Sequence, residues 1–366
     1  MGDLNQTFPN NSGGSSCSMK ASQAADRDGK IAGYSLILII SLLGNILVIL
    51  VVYKNRNMRK TINFFIVNMA ASDLIIPLVV MPMQISRAVY GHWIVDAPAR
   101  EVLCKITFFL SELPGLVSVL SLICMAIDRF VGVVFPLRAG LISSKVRITM
   151  IVATWVISLG FSTTSFYTMR VVIGRNGKPH CIMRWHDDTE KHMVALKTYS
   201  TILSVVFFVT PLILLVLFYS VILITLGKRK FPRVNQSQEA KKRNRRVSRS
   251  ATVIAFTIVM VFWICWCPYN TIMFLWAFKW DWNFPTFCSF RTIFFICQFL
   301  TWANAAVNPC IYFVLIDNYR KGLRTVFPRT LSASLNSSLK MAGRSAARHD
   351  TQQVNDEGDC LELVDQ

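Results

Sequence analysis

Asp73 and Glu112 each stand alone in a long apolar run, and the pair Asp128-Arg129 closes the second of those runs. An isolated carboxylate among apolar residues has few uses: it holds a cation, meets a charged ligand or passes a proton. Enzyme chemistry would need more. Neither carboxylate has a partner for acid–base work, and no metal cluster or nucleophile with a base is present. The ten cysteines follow no zinc spacing, and Cys265 and Cys267 stand too close on a helix to form a ligand pair. Cys124, Cys297 and Cys310 lie inside apolar runs and read as small packed hydrophobes. Cys17, Cys104, Cys181 and Cys288 lie outside or at the rim of such runs, where an oxidising compartment would allow disulfides.

The elements that carry these residues follow from composition. Of 366 residues, 53% are hydrophobic and only 16% charged, against roughly 25% in an ordinary soluble domain. The formal charge of +19 does not read as a nucleic-acid surface, because the basic residues lie between apolar runs rather than along one face. Seven runs are long enough to cross a bilayer, which takes about 20 apolar residues: 31–53, 61–86, 106–127, 148–169, 198–226, 251–278 and 292–316. All seven are predicted helices, since backbone groups in lipid must find partners within the segment. Pro77, Pro114, Pro211, Pro268 and Pro309 fall inside them and are expected to kink rather than end them. The third run places Cys104 about 25 residues, or roughly 37 Å, from Asp128-Arg129, so the two features lie at opposite membrane faces. A snorkelling interfacial pair is the plain alternative for the dipeptide alone.

Loop charge orients the bundle. Lys54, Arg56, Arg59 and Lys60 follow the first run, and a basic stretch from Lys228 to Arg246, against only Glu239, separates the fifth from the sixth. By the positive-inside rule these loops are cytoplasmic, the N-terminus is extracellular and the C-terminus cytoplasmic. Sequons at Asn5 and Asn10 fit an outer, glycosylated tail. The first thirty residues are polar and lack the apolar stretch of a signal peptide, so the first span is expected to target the chain. The expected layout is a tail over 1–30, a bundle over 31–316, an amphipathic membrane-surface helix over 317–327 and a disordered polar tail over 328–366. In the surface helix Leu323 and Phe327 are expected to face lipid, with Arg320, Lys321 and Arg324 toward headgroups.

Further residues complete a pattern. Gly44-Asn45 lies in the first span, Asn68 and Leu74 flank Asp73 in the second, and Phe130 and Pro136-Leu137 follow Asp128-Arg129. Trp155 lies in the fourth span, Pro211 and Tyr219 in the fifth, Phe262, Cys265, Trp266 and Pro268 in the sixth, and Asn308-Pro309-Cys310-Ile311-Tyr312 in the seventh. In this order, one group per span, the chain resembles the rhodopsin-like family of G-protein-coupled receptors from residue 31 to about 327, most of all its neuropeptide branch. The resemblance implies an all-α membrane protein: a seven-helix bundle with a short eighth helix and a β-hairpin in the second outer loop. It implies a plasma-membrane receptor that activates heterotrimeric G proteins, with arrestin and receptor kinases as further partners and no catalytic role. Asp73 resembles the acid of an allosteric sodium site, with Ser118, Asn304 and Asn308 at its other oxygen-bearing positions and Asn45 beside them. A merely structural polar network is the alternative there. Arg129 resembles the arginine that rests on Asp128 and meets the G protein when active. Trp266 and Pro268 resemble the pivot of helix 6, while Tyr219 and Tyr312 match tyrosines that approach one another on activation.

Some positions depart from the pattern. Phe130 replaces the usual tyrosine, and no acid near Arg245-Arg246 can clasp Arg129, though Thr252 offers a weaker bond. The fourth span carries Ser162-Thr163-Thr164-Ser165 where a proline is usual, and Pro114-Gly115 interrupts the third.

Ligand class is read by elimination and from the second outer loop. The seventh span holds no lysine for retinal, since Trp302 occupies that position. Ser111 stands where amine receptors carry aspartate, and the neighbouring Glu112 is turned by about 100°. Short β-like runs at 171–173 and 181–183 flank Asn176-Gly177, a strong hairpin signal. Peptide receptors of the family carry such a hairpin, tied to helix 3 by one disulfide, here Cys104–Cys181. A second bridge, Cys17–Cys288, would pin the outer tail. The pocket wall, by family position, contains Gln84, Arg87, Ser111, Glu112, Tyr269, Asn270, Met273, Phe294, Gln298 and Trp302. Arg87 and Glu112 are placed to meet opposite charges of a ligand, or each other. Alternatives are an amine or other small-molecule receptor, and an ion pump or channel. The latter would need more titratable groups across the membrane than Asp73 and Glu112 supply.

Overall fold

Seven helices in the computed structural model are long and apolar enough to cross a membrane. It describes the backbone of residues 20–326 except 60, 93, 94, 97, 136–141, 175, 176, 229–237 and 283–289, and the side chains of these apart from 20–24, 61, 226–228, 238–255 and 324. In chain order, α1 is Lys20–Lys54. Helix α2 runs through Thr61–Asp73, Ile76–Val80 and Met81–Tyr90. Helix α3 is Ala99–Val134, and α4 is Ser144–Ser162 followed by a short turn of helix, Thr164–Thr168. Strands β1, Met169–Ile173, and β2, Pro179–Met183, come next. Helix α5 runs through Thr189–Ser204, Val205–Val209 and Thr210–Lys228; α6 is Gln238–Phe278, α7 is Phe290–Leu315 and α8 is Asp317–Val326.

The helices overrun the apolar runs that predict them. Helix α1 begins at Lys20, α3 at Ala99 and α5 at Thr189, because hydrogen-bonded helix persists into the interfacial layer once the span has nucleated it. Local chemistry fixes several ends. Asp188 caps α5 by accepting from the Lys191 N–H at 3.0 Å, a bond that also holds its carboxyl below the usual range. Gly91, at φ 72°, closes α2 in the left-handed conformation that glycine adopts without a Cβ clash.

Prolines bend the ladder without ending it. Two stretches are π-helical, Ile76–Val80 around Pro77 and Val205–Val209 just before Pro211. A proline has no N–H to donate and crowds the carbonyl four residues back, so the preceding turn widens. Pro114, Pro268 and Pro309 lie inside α3, α6 and α7, which remain continuous.

Lipid-facing surface is apolar: Leu36, Ile39 and Leu43 on α1, Val152 and Val156 on α4, and Val216, Leu217 and Leu223 on α5 are exposed. The interior instead uses small and polar residues. A Cβ on Gly44 would lie 2.6 Å from the Pro309 ring, so α1 and α7 approach at a contact only glycine allows. Beside it, Asn45 Nδ2 donates to the Ser41 carbonyl at 2.8 Å and across to the Ala305 carbonyl at 2.9 Å. Asn68 ties three helices: its Nδ2 donates to Ser121 Oγ at 2.9 Å and Thr154 Oγ1 at 3.2 Å, and its Oδ1 accepts from Trp155 Nε1 at 2.8 Å. In a medium without water these bonds have no competing partner, which is why polar residues hold the bundle together.

Helix α8 docks on the bundle. A Cβ on Gly322 would lie 2.5 Å from Val51 of α1, and Asn55 Nδ2 donates to Thr325 Oγ1 at 2.9 Å. Leu323 packs against the main core rather than facing lipid, because this close docking turns it inward. Phe327 and the tail 328–366 lie outside the described residues, as do Asn5, Asn10, Cys17 and Cys288.

Candidate functional site

One end of the bundle is roofed at its rim by the hairpin. Strands β1 and β2 pair antiparallel with Val171 opposite Cys181. Gly177, at φ 70°, turns the chain between them, and its N–H donates to the Gly174 carbonyl at 2.9 Å. Cys181 is bonded to Cys104 near the start of α3, with Cα atoms 5.8 Å apart. Both cysteines are buried with Met169, so the hairpin is held on α3 as well as by its own ladder. Beyond β2, the Trp185 ring lies 4.9 Å from that of Tyr199 on α5.

Beneath the hairpin lies a cavity of about 440 Å³, within the range of ligand pockets. Nine of the ten expected wall residues line it: Gln84, Arg87, Ser111, Glu112, Tyr269, Asn270, Met273, Gln298 and Trp302. Phe294 does not. It sits behind Tyr269 at 6.1 Å between ring centres, in an aromatic group with Trp276 and Phe290. Its expected place in the wall is therefore corrected: α7 turns that residue toward α6 rather than inward. Arg87 and Glu112 form no ion pair. The Glu112 carboxylate faces Ser165, Tyr199 and Tyr269, whereas Arg87 lies toward Tyr34 of α1.

Among the further lining residues, Tyr199, Trp282 and Gly115 were not placed in the wall by the sequence reading. Tyr199 lies in the first turns of α5, at the edge of the apolar run. Trp282 follows α6, where Asp281 and Trp282 take φ values of 44° and 60°. This left-handed pair, clamped by the Lys197–Asp281 ion pair, folds the indole back over the cavity. No local signal in the sequence marks it. Gly115 also lines the cavity; a Cβ there would lie 2.4 Å from the Trp266 indole. Pro114-Gly115 therefore leaves α3 straight enough to continue and thin enough for the α6 tryptophan to rest against it.

Trp266 forms the floor and stacks on Phe262, with ring centres 5.6 Å apart and planes 22° from parallel. Pro268 lies two residues outward on α6. Deeper in the bundle, the buried Asp73 accepts from Asn308 Nδ2 at 2.9 Å, and Ser118 lies beside the same carboxylate. Asn304 Oδ1 and Asn308 Oδ1 are buried there without hydrogen-bond partners. Tyr312, next to Pro309, is fully buried, and its ring lies 5.8 Å from that of Tyr319 on α8.

At the end of α3 remote from the hairpin, Arg129 folds back on its neighbour: its Nε donates to Asp128 Oδ2 at 3.0 Å. Asp128 is almost fully buried while Arg129 stays partly exposed. Tyr219 is buried near Arg129, but its hydroxyl has no hydrogen-bond partner, and Tyr312 is engaged with α8. The Thr252 side chain lies outside the described residues. The guanidinium is thus held within its own helix, and neither the Tyr219 nor the Tyr312 hydroxyl has a hydrogen-bond partner among the described residues.

Comparison with known proteins agrees with this geometry. The family model for 7 transmembrane receptors (rhodopsin family) matches residues 44–312, more than half of the chain. A QRFP-like peptide receptor from Branchiostoma floridae is 28% identical over 84% of this chain and 83% of its own length. The neuropeptide FF receptor 2 of Mus musculus is 27% identical over 81% of this chain and 72% of its own, and the substance-K receptor of Canis lupus familiaris 26% over 80% and 74%. Seven spans in sequence, an Asp-Arg pair at the base of α3, a cavity beneath the hairpin at the other end and the family match over residues 44–312 lead to one assignment: the chain belongs to the rhodopsin family of seven-transmembrane, G-protein-coupled receptors and is a receptor rather than an enzyme.

Proposed function

We propose that this receptor takes an extracellular peptide into the cavity beneath the hairpin and activates a heterotrimeric G protein at the Arg129 end. One observation carries the reading: the hairpin is tethered over the rim by Cys104–Cys181, which leaves an open cavity with polar groups on several walls. An extended ligand can enter past such a hairpin, whereas a lid lying across the bundle would admit only small molecules. Two of the relatives named above are peptide receptors by their names, the QRFP-like peptide receptor and the neuropeptide FF receptor 2, which favours the same ligand class here. The basic loops after α1 and between α5 and α6 favour an N-terminus outside the cell and a C-terminus in the cytoplasm, and a receptor for an extracellular ligand belongs at the plasma membrane. Arrestin and receptor kinases would act on the Ser- and Thr-bearing tail. Screening peptide pools against cells expressing the receptor, with calcium and cyclic AMP read together, tests the assignment. Response to amines but to no peptide would replace it with the small-molecule reading.

The same interior suits a sodium ion. Asp73 supplies a carboxylate, Ser118, Asn304 and Asn308 supply neutral oxygens, and none of those three oxygens has another partner among the described residues. A hard monovalent cation suits such an oxygen set, and a buried carboxylate with a cation costs less than one without. Bound there, sodium would supply charge neutralisation that favours the resting packing of α2, α3 and α7.

A further inference from the structure

Glu112 has surroundings that call for a positive charge and contain none. It projects from α3 into the cavity, and no ion-pair partner stands against it among the described residues. Its neighbours are Ser165 after α4, Tyr199 of α5 and Tyr269 of α6. The Tyr199 hydroxyl has already committed its proton. Thr164 Oγ1 donates its only proton to the Phe161 carbonyl at 2.8 Å, so in the 2.9 Å contact between Thr164 and Tyr199 the tyrosine is the donor. Tyr199 therefore presents lone pairs and a ring face to the cavity, not a hydrogen. Arg87, the cation of the same cavity, lies toward Tyr34 and away from this corner.

The apolar part of the wall says which kind of cation fits. Leu116, Leu203, Phe207 and Phe208 line the cavity on the α3–α5 side. Such a wall strips water from whatever enters, which a bare metal ion resists and an alkyl-borne cation tolerates. Aromatic faces add attraction for an organic cation, and a planar guanidinium can meet the carboxylate through two N–H groups while lying against a ring. We propose that Glu112, Tyr199 and Tyr269 form a subsite for the basic side chain of the ligand, an arginine or lysine inserted between α3, α5 and α6. This rests on the reading that the cavity is the ligand site, and it narrows the ligand to one bearing a basic residue near the end that enters first. A partner cation that arrives only with ligand also gives the receptor a reason to respond, since the pair is made only in the liganded state.

The test reads the subsite without an agonist. Thermal unfolding of the full-length receptor in lipid nanodiscs is titrated with N-acetyl-arginine amide and with the uncharged N-acetyl-citrulline amide. The arginine probe should bind on the order of ten- to a hundredfold tighter, the usual value of a charge-assisted contact, and Glu112→Gln should abolish that preference. Glu112→Asp, which keeps the charge on a shorter arm, should give an intermediate preference. Equal titration by both probes in the unaltered receptor, or titration by neither, overturns the proposal whatever the variants do. So does an arginine preference that survives in Glu112→Gln. Hexapeptide pools with arginine or citrulline fixed at one position, read by nucleotide exchange, form the second arm. Silent pools together with a clear arginine preference in nanodiscs would retain the cation subsite and remove the peptide reading.

Discussion

Gly115→Ala adds one methyl group where the structure has no room for it. The new Cβ would sit 2.4 Å and 2.6 Å from two carbons of the Trp266 indole, against an ordinary carbon contact of about 3.5–4.0 Å. The indole must move by roughly 1 Å, and it is not free to do so, because it stacks on Phe262. Overpacking of this size costs about 1–3 kcal/mol. Alanine is also a better helix former than glycine by about 1 kcal/mol, but that gain is common to every position of Trp266 and cancels from the equilibrium between them. The clash therefore acts almost wholly on the resting packing, in which Arg129 is held by Asp128. A shift of about 1–3 kcal/mol is a five- to 150-fold change in the ratio of resting to displaced receptor. Basal nucleotide exchange in membranes should rise toward the agonist level. In Gly115→Ala with Trp266→Leu the two changes should be strongly non-additive, because the smaller side chain removes the clash. Unchanged basal exchange with additive effects would refute the claim that this glycine exists to seat the indole.

Three further outcomes follow from other parts of the bundle. Cys104→Ser opens a loop of 77 residues, worth roughly 4–5 kcal/mol by chain entropy, and should lower surface delivery or thermal stability sharply; normal stability would mean the hairpin is held by its ladder alone. Asp73→Asn should remove any difference in agonist affinity between sodium and a bulky organic cation, with ligand binding measured in both; a wild-type receptor indifferent to sodium would exclude the ion site. Arg129→Ala should abolish nucleotide exchange while leaving binding intact, since roughly 25 Å of helix separates it from Glu112; equal loss of both at normal surface expression would indicate a folding role instead.

The spans and the hairpin were legible in the sequence because each rests on a local rule. A run of apolar residues without charge must be helical in lipid, Asn-Gly between β-like runs turns a strand, and a cysteine about 25 residues from an Asp-Arg pair measures the membrane. Nine wall residues were placed by their positions along helices alone, since a helix presents one face consistently. The tenth, Phe294, shows the limit of that rule: whether a residue at the border of a face turns inward depends on what the neighbouring helix offers, and α6 offers an aromatic group. Tertiary structure alone decided that Arg87 and Glu112 stay apart, because their separation depends on the packing of α1 beside α2 and of α5 beside α3. It also decided the meaning of Gly115, which composition reads as a flaw in a helix and the fold uses as the seat of Trp266. Trp282 reaches the cavity through a left-handed turn that two ordinary residues adopt under the pull of the Lys197–Asp281 pair, a contact between positions 84 residues apart that no local pattern encodes.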